Sequence, residues 1–397
     1  MSAAGPLHGI RVIDWTILQQ GPVAGAMLGD LGAEVIKIEE PGAGDAGRSL
    51  SVMDGTVMWP YFENNNRNKK SITVNVKTPA GLDLVKRLVA TADVFITNFR
   101  PGVPEKLGLG YEDLRAVNPG IVYGEASAFG SEGPDRSTRG HDLLGLARSG
   151  IVLAGGEPHY PAGAIGDQMG ASMLAYGVVA ALLARERLGG GQKVETSLLG
   201  GMVWLQGFQV AMHLMQGGPP RPATNRNARN PLYTWYRCAD GKWLALATPD
   251  PDRHWPELIA VLGRPDLAED PRFVDHASRL RHTEECTAVL GEIFATKPRD
   301  EWFRRLGAAG SVPFGPVNDL ADVVVDPQVV ANRYVTSFTH AERGELRTVG
   351  FPVTFSETPP AIHRPAPQLG EHTDEILITE LGMHEEEVSR LRHEKVI

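Results

Sequence analysis

Short apolar runs alternate with longer stretches of helical periodicity through the first half of this chain. Residues 10–15 and 34–38 have the length and the β-branched content of strands. Between them Gly21, Gly25 and Gly29 recur every four positions, on one face of a helix that Pro22 would open. That smooth stripe predicts close packing on a sheet or on a second helix. Residues 71–76, 94–97 and 121–126 continue the strand series, with a helix over 80–90 between two of them. The alternation implies an α/β fold with a mostly parallel sheet and right-handed crossovers.

The pattern changes after Gly217. Residues 217–222, rich in glycine and proline, read as a linker. Residues 232–238 and 242–247 form a predicted hairpin around Asp240-Gly241, and helices follow near 255–262, 284–295 and 300–308. A second hairpin-like stretch spans 335–349, with Arg343-Gly344 at its turn. A proline-rich strip over 359–367 reads as an extended connector, followed by two short helices. The expected division is a large domain over 1–224, a smaller α+β domain over 225–325, and a return to the large domain over 326–397.

Composition narrows the class. A chain of 397 residues, 42% hydrophobic, is long enough for a large core, and two domains are expected at that length. A net charge of -9 argues against a general nucleic-acid binder, although a local basic cluster can still hold an anion. The two cysteines, Cys238 and Cys286, have no metal-type spacing and read as thiols of a reducing compartment. No basic-then-apolar leader and no apolar run of membrane-spanning length are visible, so a cytoplasmic protein without a membrane partner is expected.

The candidate chemistry centres on Gly166-Asp167. The pair stands just before a long apolar helical run, residues 169–188, and just after a segment of small residues. A helix N-terminus favours an ionised acid, and small neighbours let a substrate approach, as covalent acyl chemistry requires. The alternative is that Asp167 only caps its helix. Gly140-His141-Asp142 is a second candidate: a histidine beside a carboxylate is either a tuned acid–base group or a structural residue. Two further stretches suggest an anionic, nucleotide-bearing ligand. Asn66-Arg67-Asn68-Lys69-Lys70 precedes a strand, and Asn98-Phe99-Arg100-Pro101-Gly102, with Lys106 beyond it, follows one. Ligands of open α/β sheets bind at such carboxyl ends, but a basic stretch is equally a solvated surface. After the first strand the chain reads Leu18-Gln19-Gln20-Gly21-Pro22, not G-x-G-x-x-G, and no Walker-type loop occurs. A nicotinamide dehydrogenase is therefore disfavoured.

Taken in order, several segments resemble the class III coenzyme A-transferase superfamily, which includes formyl-CoA and carnitine CoA-transferases and α-methylacyl-CoA racemase. They are Pro6-Leu7-His8-Gly9-Ile10-Arg11-Val12, Leu31-Gly32-Ala33-Glu34-Val35-Ile36-Lys37-Ile38-Glu39, the stretch from Asn66 to Ile72, Asn98-Phe99-Arg100-Pro101-Gly102, Gly166-Asp167, Gly189-Gly190-Gly191-Gln192-Lys193-Val194, and Leu369-Gly370-Glu371-His372-Thr373-Asp374-Glu375.

The resemblance implies a Rossmann-like large domain built from both ends of the chain, a smaller domain between, and an interlocked homodimer. It implies acyl-CoA and a carboxylic acid as partners, with the CoA thioester a substrate and no permanently bound cofactor or metal. By this resemblance Asp167 is the nucleophile that forms an acyl anhydride and then an aspartyl-CoA thioester. Gln19 helps to hold the reacting group, His141 belongs to the active site, and Asn98, Phe99 and Lys106 touch CoA, with Arg67 and Lys69 as further basic contacts. Two departures stand out. Glu40 occupies a position where many relatives have arginine, and residues 224–230 lack the glycine-rich lid of formyl-CoA transferases, which makes oxalate and formate poor substrates to expect. The alternative within the superfamily is a racemase using His141 and Asp167 as two bases. Gln19, and the Leu143-Leu144-Gly145 that follows Asp142, favour transfer.

Overall fold

The computed structural model describes residues 5–51, 55, 57–154, 156–161, 163–218 and 230–397. The chain divides into a larger unit, Met1–Val152, His159–Gly218 and Ala331–Ile397, and a smaller one, Leu153–Pro158 and Pro219–Val330.

A six-stranded parallel sheet forms the centre of the larger unit. Its strands are β1 (Arg11–Trp15), β2 (Glu34–Glu39), β3 (Lys69–Thr73), β4 (Val94–Thr97), β5 (Val122–Ser127) and β6 (Lys193–Ser197), in the spatial order β3-β2-β1-β4-β5-β6. Side chains alternate between the faces, as the two-residue period of a strand requires. Val12, Val35 and Ile96 point to one side, where they meet Leu28 of α1 (Gln20–Asp30) and, from another helix, Leu174 and Val178. Ile13, Ile36 and Phe95 point to the other. There they meet Leu84 and Leu88 of a helix over Pro79–Val89 and the chain's last residues, including Leu391, Val396 and Ile397. The C-terminal stretch thus completes a core that the N-terminal half begins.

The expected glycine stripe lies where packing is tightest. A Cβ on Gly25 would sit 2.6 Å from Oδ2 of the buried Asp14 on β1, so α1 can approach the sheet only with glycine there. The helix expected after Asp167 spans Ile165–Leu188, begins four residues earlier than the apolar run suggests, and so includes Asp167 in its first turn. Strand β6 was absent from the sequence-based series because it is a half-solvated edge strand whose Lys193 and Glu195 break the apolar pattern. Two helices, Leu198–Leu205 and Gly207–Gln216, follow it. By length and composition Ile165–Leu188 is the one described helix that could cross a membrane unbroken, and it packs along α1, β5 and β6.

The smaller unit has a three-stranded antiparallel sheet, β7 (Tyr233–Arg237), β8 (Trp243–Ala247) and β9 (Phe314–Val317). Tyr236, Leu244 and Leu246 face helices over Pro251–Leu262, Thr283–Phe294 and Arg299–Ala309, around the fully buried Trp302. The predicted 335–349 hairpin is present in the larger unit as β10 (Val335–His340) and β11 (Gly344–Val349).

Candidate active site

The strand order reverses between β1 and β4, where the chain winds away on either side. The carboxyl ends of these two strands mark the place where sheets of this topology offer a ligand a crevice. The loop after β1, residues 16–19, and the loop after β4, beginning at Asn98, are laced together there. The Asn98 carboxamide accepts the N–H of Ile17 at 2.8 Å and donates to the Ile17 carbonyl at 2.7 Å. The Trp15 and Phe99 rings lie against each other with centroids 4.2 Å apart. Leu18 has φ +65°, an uncommon conformation for a residue with a side chain, and its N–H donates to Oδ1 of Asp45 at 2.9 Å. Gln19 caps α1 with its backbone only. Its side chain is half-buried and forms no hydrogen bond among the described residues.

Asp167 sits in the first turn of α3, as the helix Ile165–Leu188 is labelled here with α2 (Trp59–Asn66) preceding it. It does not cap that helix through its side chain. Asp142 does the work instead: its Oδ1 accepts the Asp167 backbone N–H at 3.0 Å, and its Oδ2 accepts the Tyr160 hydroxyl at 3.0 Å. Gly166 makes this approach possible, because a Cβ there would lie 2.8 Å from Oδ1 of Asp142. One turn on, a Cβ on Gly170 would lie 2.4 Å from Nε2 of Gln20, so the start of α1 is pressed against the start of α3. The turn that carries Gln19 and the turn that carries Asp167 are therefore neighbours.

The electrostatics differ from expectation. Burial, and secondly the negative charge of Asp142, push the Asp167 carboxyl up to about 7. The helix N-terminus does not hold it in the ordinary carboxylate range, since Asp142 takes the N–H that would have stabilised its charge. The Tyr61 hydroxyl, on α2, is also raised, first by burial and then by the charges of Asp167 and Asp45. Tyr61 therefore belongs to the same neighbourhood. Nothing in its local sequence, Trp59-Pro60-Tyr61-Phe62, marked it, because the link to Asp167 is made across 106 positions by tertiary packing. His141 is exposed at the N-cap of the helix Asp142–Ser149, and no hydrogen bond joins its ring to Asp167 among the described residues. Of the Gly-His-Asp trio, it is Asp142 that touches the Asp167 turn.

The expected CoA contacts separate into two groups. Asn98 and Phe99 lie at the crevice, although both Asn98 side-chain groups are engaged by Ile17. Lys106, at the end of the short helix Val103–Lys106, is exposed and has no ion-pair partner among the described residues. Arg67 and Lys69 are placed otherwise. Arg67 is buried and forks onto Asp30, with its shortest contact at 2.7 Å. Lys69 is fully buried, 2.7 Å from Asp14 and hydrogen-bonded to Pro22 O and Asn66. Its burial outweighs the Asp14 charge and lowers the ammonium to about 8. These two cations fasten α1 to the sheet and are not presented to a ligand. The exposed Glu40 holds Lys77 at 2.8 Å. Of the segment expected in place of a lid, 224–230, only Asn230 is among the described residues.

Among the described residues no group of three or more His, Cys, Asp or Glu side chains is placed to hold a metal ion. A model of CoA-transferase family III matches residues 7–373. A succinyl-CoA–D-citramalate CoA-transferase of Chloroflexus aurantiacus is 33% identical over 99% of this chain and 98% of its own length. The succinyl-CoA:glutarate CoA-transferase of mouse is 34% identical, over 97% and 89% respectively. Among solved structures, a CaiB/BaiF family protein of Brucella suis superposes with a TM-score of 0.84 at 32% identity, covering 95% of this chain and 99% of that one.

Proposed function

Starting from the fact that the chain belongs to CoA-transferase family III, and so moves CoA from an acyl-CoA donor to a carboxylic acid acceptor, we propose that Asp167 is the group through which CoA passes. The observation that carries this reading is the placement of its carboxylate: in a helix's first turn, half-buried, beside the crevice, and without a hydrogen bond of its own among the described residues. A carboxylate that neither caps nor pairs is free to attack, and partial desolvation makes its ionised form more nucleophilic.

The steps follow from that role. An oxygen of ionised Asp167 adds to the thioester carbonyl carbon, the C–S bond breaks, and CoA leaves as the thiolate, giving a mixed anhydride. The thiolate then attacks the aspartyl carbonyl and displaces the donor acid as its carboxylate, leaving an aspartyl-CoA thioester. The acceptor carboxylate attacks that thioester and CoA leaves again. Its thiolate takes the acceptor acyl carbon from the second anhydride, and Asp167 is returned as a carboxylate. No proton is gained or lost over the cycle. Gln19 holds the reacting carbonyl or carboxylate from the neighbouring turn. Tyr61, whose hydroxyl is protonated at neutral pH, supplies a donor in the same neighbourhood. Lys106 meets the CoA phosphates, and Asn98 and Phe99 shape the crevice that receives them.

An interlocked homodimer completes this reading. Tyr176, Trp204, Phe208, Leu214 and Met215 are each at least 71% exposed on the helices over 165–188, 198–205 and 207–216, and so leave large apolar surface in water. A second copy covers it in the proposed assembly, and the cytoplasm, where CoA thioesters circulate, is the proposed location. The test is a matrix of acyl-CoA donors against carboxylic acids, including succinyl-CoA with glutarate and with citramalate, read by mass spectrometry of the new thioesters. Transfer that Asp167→Asn abolishes supports the role of Asp167. Transfer retained by that variant removes it.

A further inference from the structure

The turn that presents Gln19 is held from beneath by a buried ion pair. Lys37, on β2, and Asp45, in the loop that follows, approach to 2.8 Å with side chains 0% and 1% exposed. Each partner also grips the 16–19 turn. Lys37 donates to the Thr16 carbonyl at 2.9 Å, and Asp45 accepts the Leu18 N–H at 2.9 Å. Between those two points Asn98 holds both backbone groups of Ile17. The residue gripped by Asp45 is the left-handed Leu18, immediately before Gln19.

A side chain pays little to sit in the right-handed or extended regions and more to sit where Leu18 sits, so the turn persists only because its surroundings over-determine it. Burying two charges is itself unfavourable, and a well-packed apolar pair of similar volume often stabilises a fold as well or better. Neither feature is explained by stability. Both are explained if the shape of the turn matters to the reaction, and Asp45 lies close enough to the site for its charge to act on Tyr61 together with that of Asp167.

We propose that the Lys37–Asp45 pair is a positioning device that holds Leu18 in its left-handed conformation and so aims Gln19 at the group bound on Asp167. This rests on the transferase reading above. If the Leu18 N–H loses its acceptor, the turn relaxes and Gln19 swings off line. Displacements of this size cost about ten- to a hundredfold in rate. The anhydride is then held less well against water: water adds to its acyl carbon, Asp167 leaves as the carboxylate, and the free acid departs without having been exchanged.

The experiment compares Asp45→Ala with Asp45→Asn, whose amide oxygen still accepts the Leu18 N–H. For each, kcat and KM for transfer are measured alongside hydrolysis of the same acyl-CoA without acceptor, on the folded dimer. The double variant Lys37→Met/Asp45→Ala, which leaves no unpaired buried charge, stands in should Asp45→Ala not fold. The expected result is a kcat for transfer at least about tenfold lower in the alanine variants, KM changed by no more than about threefold, and a hydrolysis-to-transfer ratio raised at least about fivefold. Asp45→Asn should recover most of both. An unchanged ratio in the alanine variants, or an asparagine variant no better than alanine, overturns the proposal. The wild type serves as the control for the reading beneath: if it transfers no CoA between any pair in the matrix, that reading fails, whereas intact transfer in wild type and variants alike removes only the positioning role.

Discussion

Replacing Asp167 by asparagine should stabilise the free protein at alkaline pH and leave it unchanged in acid. The carboxyl is displaced from its ordinary 3.8 to about 7, chiefly by burial and then by Asp142. A folded-state value above the unfolded one means that the native protein binds this proton more tightly than the unfolded chain does. The stability it contributes is complete below about pH 4 and is lost as pH rises to about 7. Three units at about 1.4 kcal/mol each set a ceiling of about 4 kcal/mol. Asp167 is only half-buried, so water screens part of this and about 2–3 kcal/mol remains. Asparagine fills the same space and cannot ionise. Thermal unfolding of both proteins without ligand, from pH 4 to pH 9, should therefore show coincident midpoints in acid and a gap on the order of 5 °C in favour of the variant above pH 7. Midpoints that stay together across the range, or a wild type that gains on the variant as pH rises, would refute the claim that this carboxylate is held at a cost in its folded site.

Asp142→Asn keeps the acceptor for the Asp167 N–H but removes the neighbouring charge, so the acid limb of kcat/KM should move to lower pH. The move should be less than half of the full displacement, because burial is the larger cause; a limb that moves upward or stays in place contradicts the assignment. Lys106→Ala should weaken CoA binding about threefold to tenfold at low salt and much less at high salt, since an exposed phosphate contact is screened. An affinity ratio that does not depend on salt takes Lys106 out of the site. In heavy water, transfer should leave the α-position of the product undeuterated, with His141→Ala slowing the reaction only partly. Rapid α-deuteration of a 2-methylacyl-CoA without acceptor, lost in His141→Ala, would establish the racemase alternative in place of transfer.

Much of the sheet was legible because β1, β2, β4 and β5 are short apolar runs bounded by turns, and buried parallel strands have no other way to satisfy both faces. The glycine stripe of α1 was legible for the same reason: close packing needs missing side chains at a helical period. What could not be read was the pairing of buried charges. Arg67 and Lys69 were expected to contact CoA because an isolated basic cluster is usually solvated and so open to an anion. Their partners, Asp30 and Asp14, lie 37 and 55 positions upstream and meet them only when the sheet assembles and α1 packs across β1, β2 and β3. Asp167 was singled out from local pattern and resemblance as an acid at the start of a helix, where the structure places it, but its electrostatics were misjudged. The capping N–H goes to Asp142, on another helix, and nothing near Asp167 in sequence announces that. Tyr61 and the Lys37–Asp45 strut went unseen for the same physical cause, being assembled across loops.

The most direct test of the central claim is mass spectrometry of the peptide that contains Asp167 after incubation with a productive acyl-CoA. Rapid quenching in acid should preserve a CoA thioester on that peptide. Hydroxylamine should convert it to the hydroxamate, and Asp167→Asn should carry neither. A protein that transfers CoA at full rate while this peptide stays unmodified, or whose adduct maps to another residue, would contradict the account.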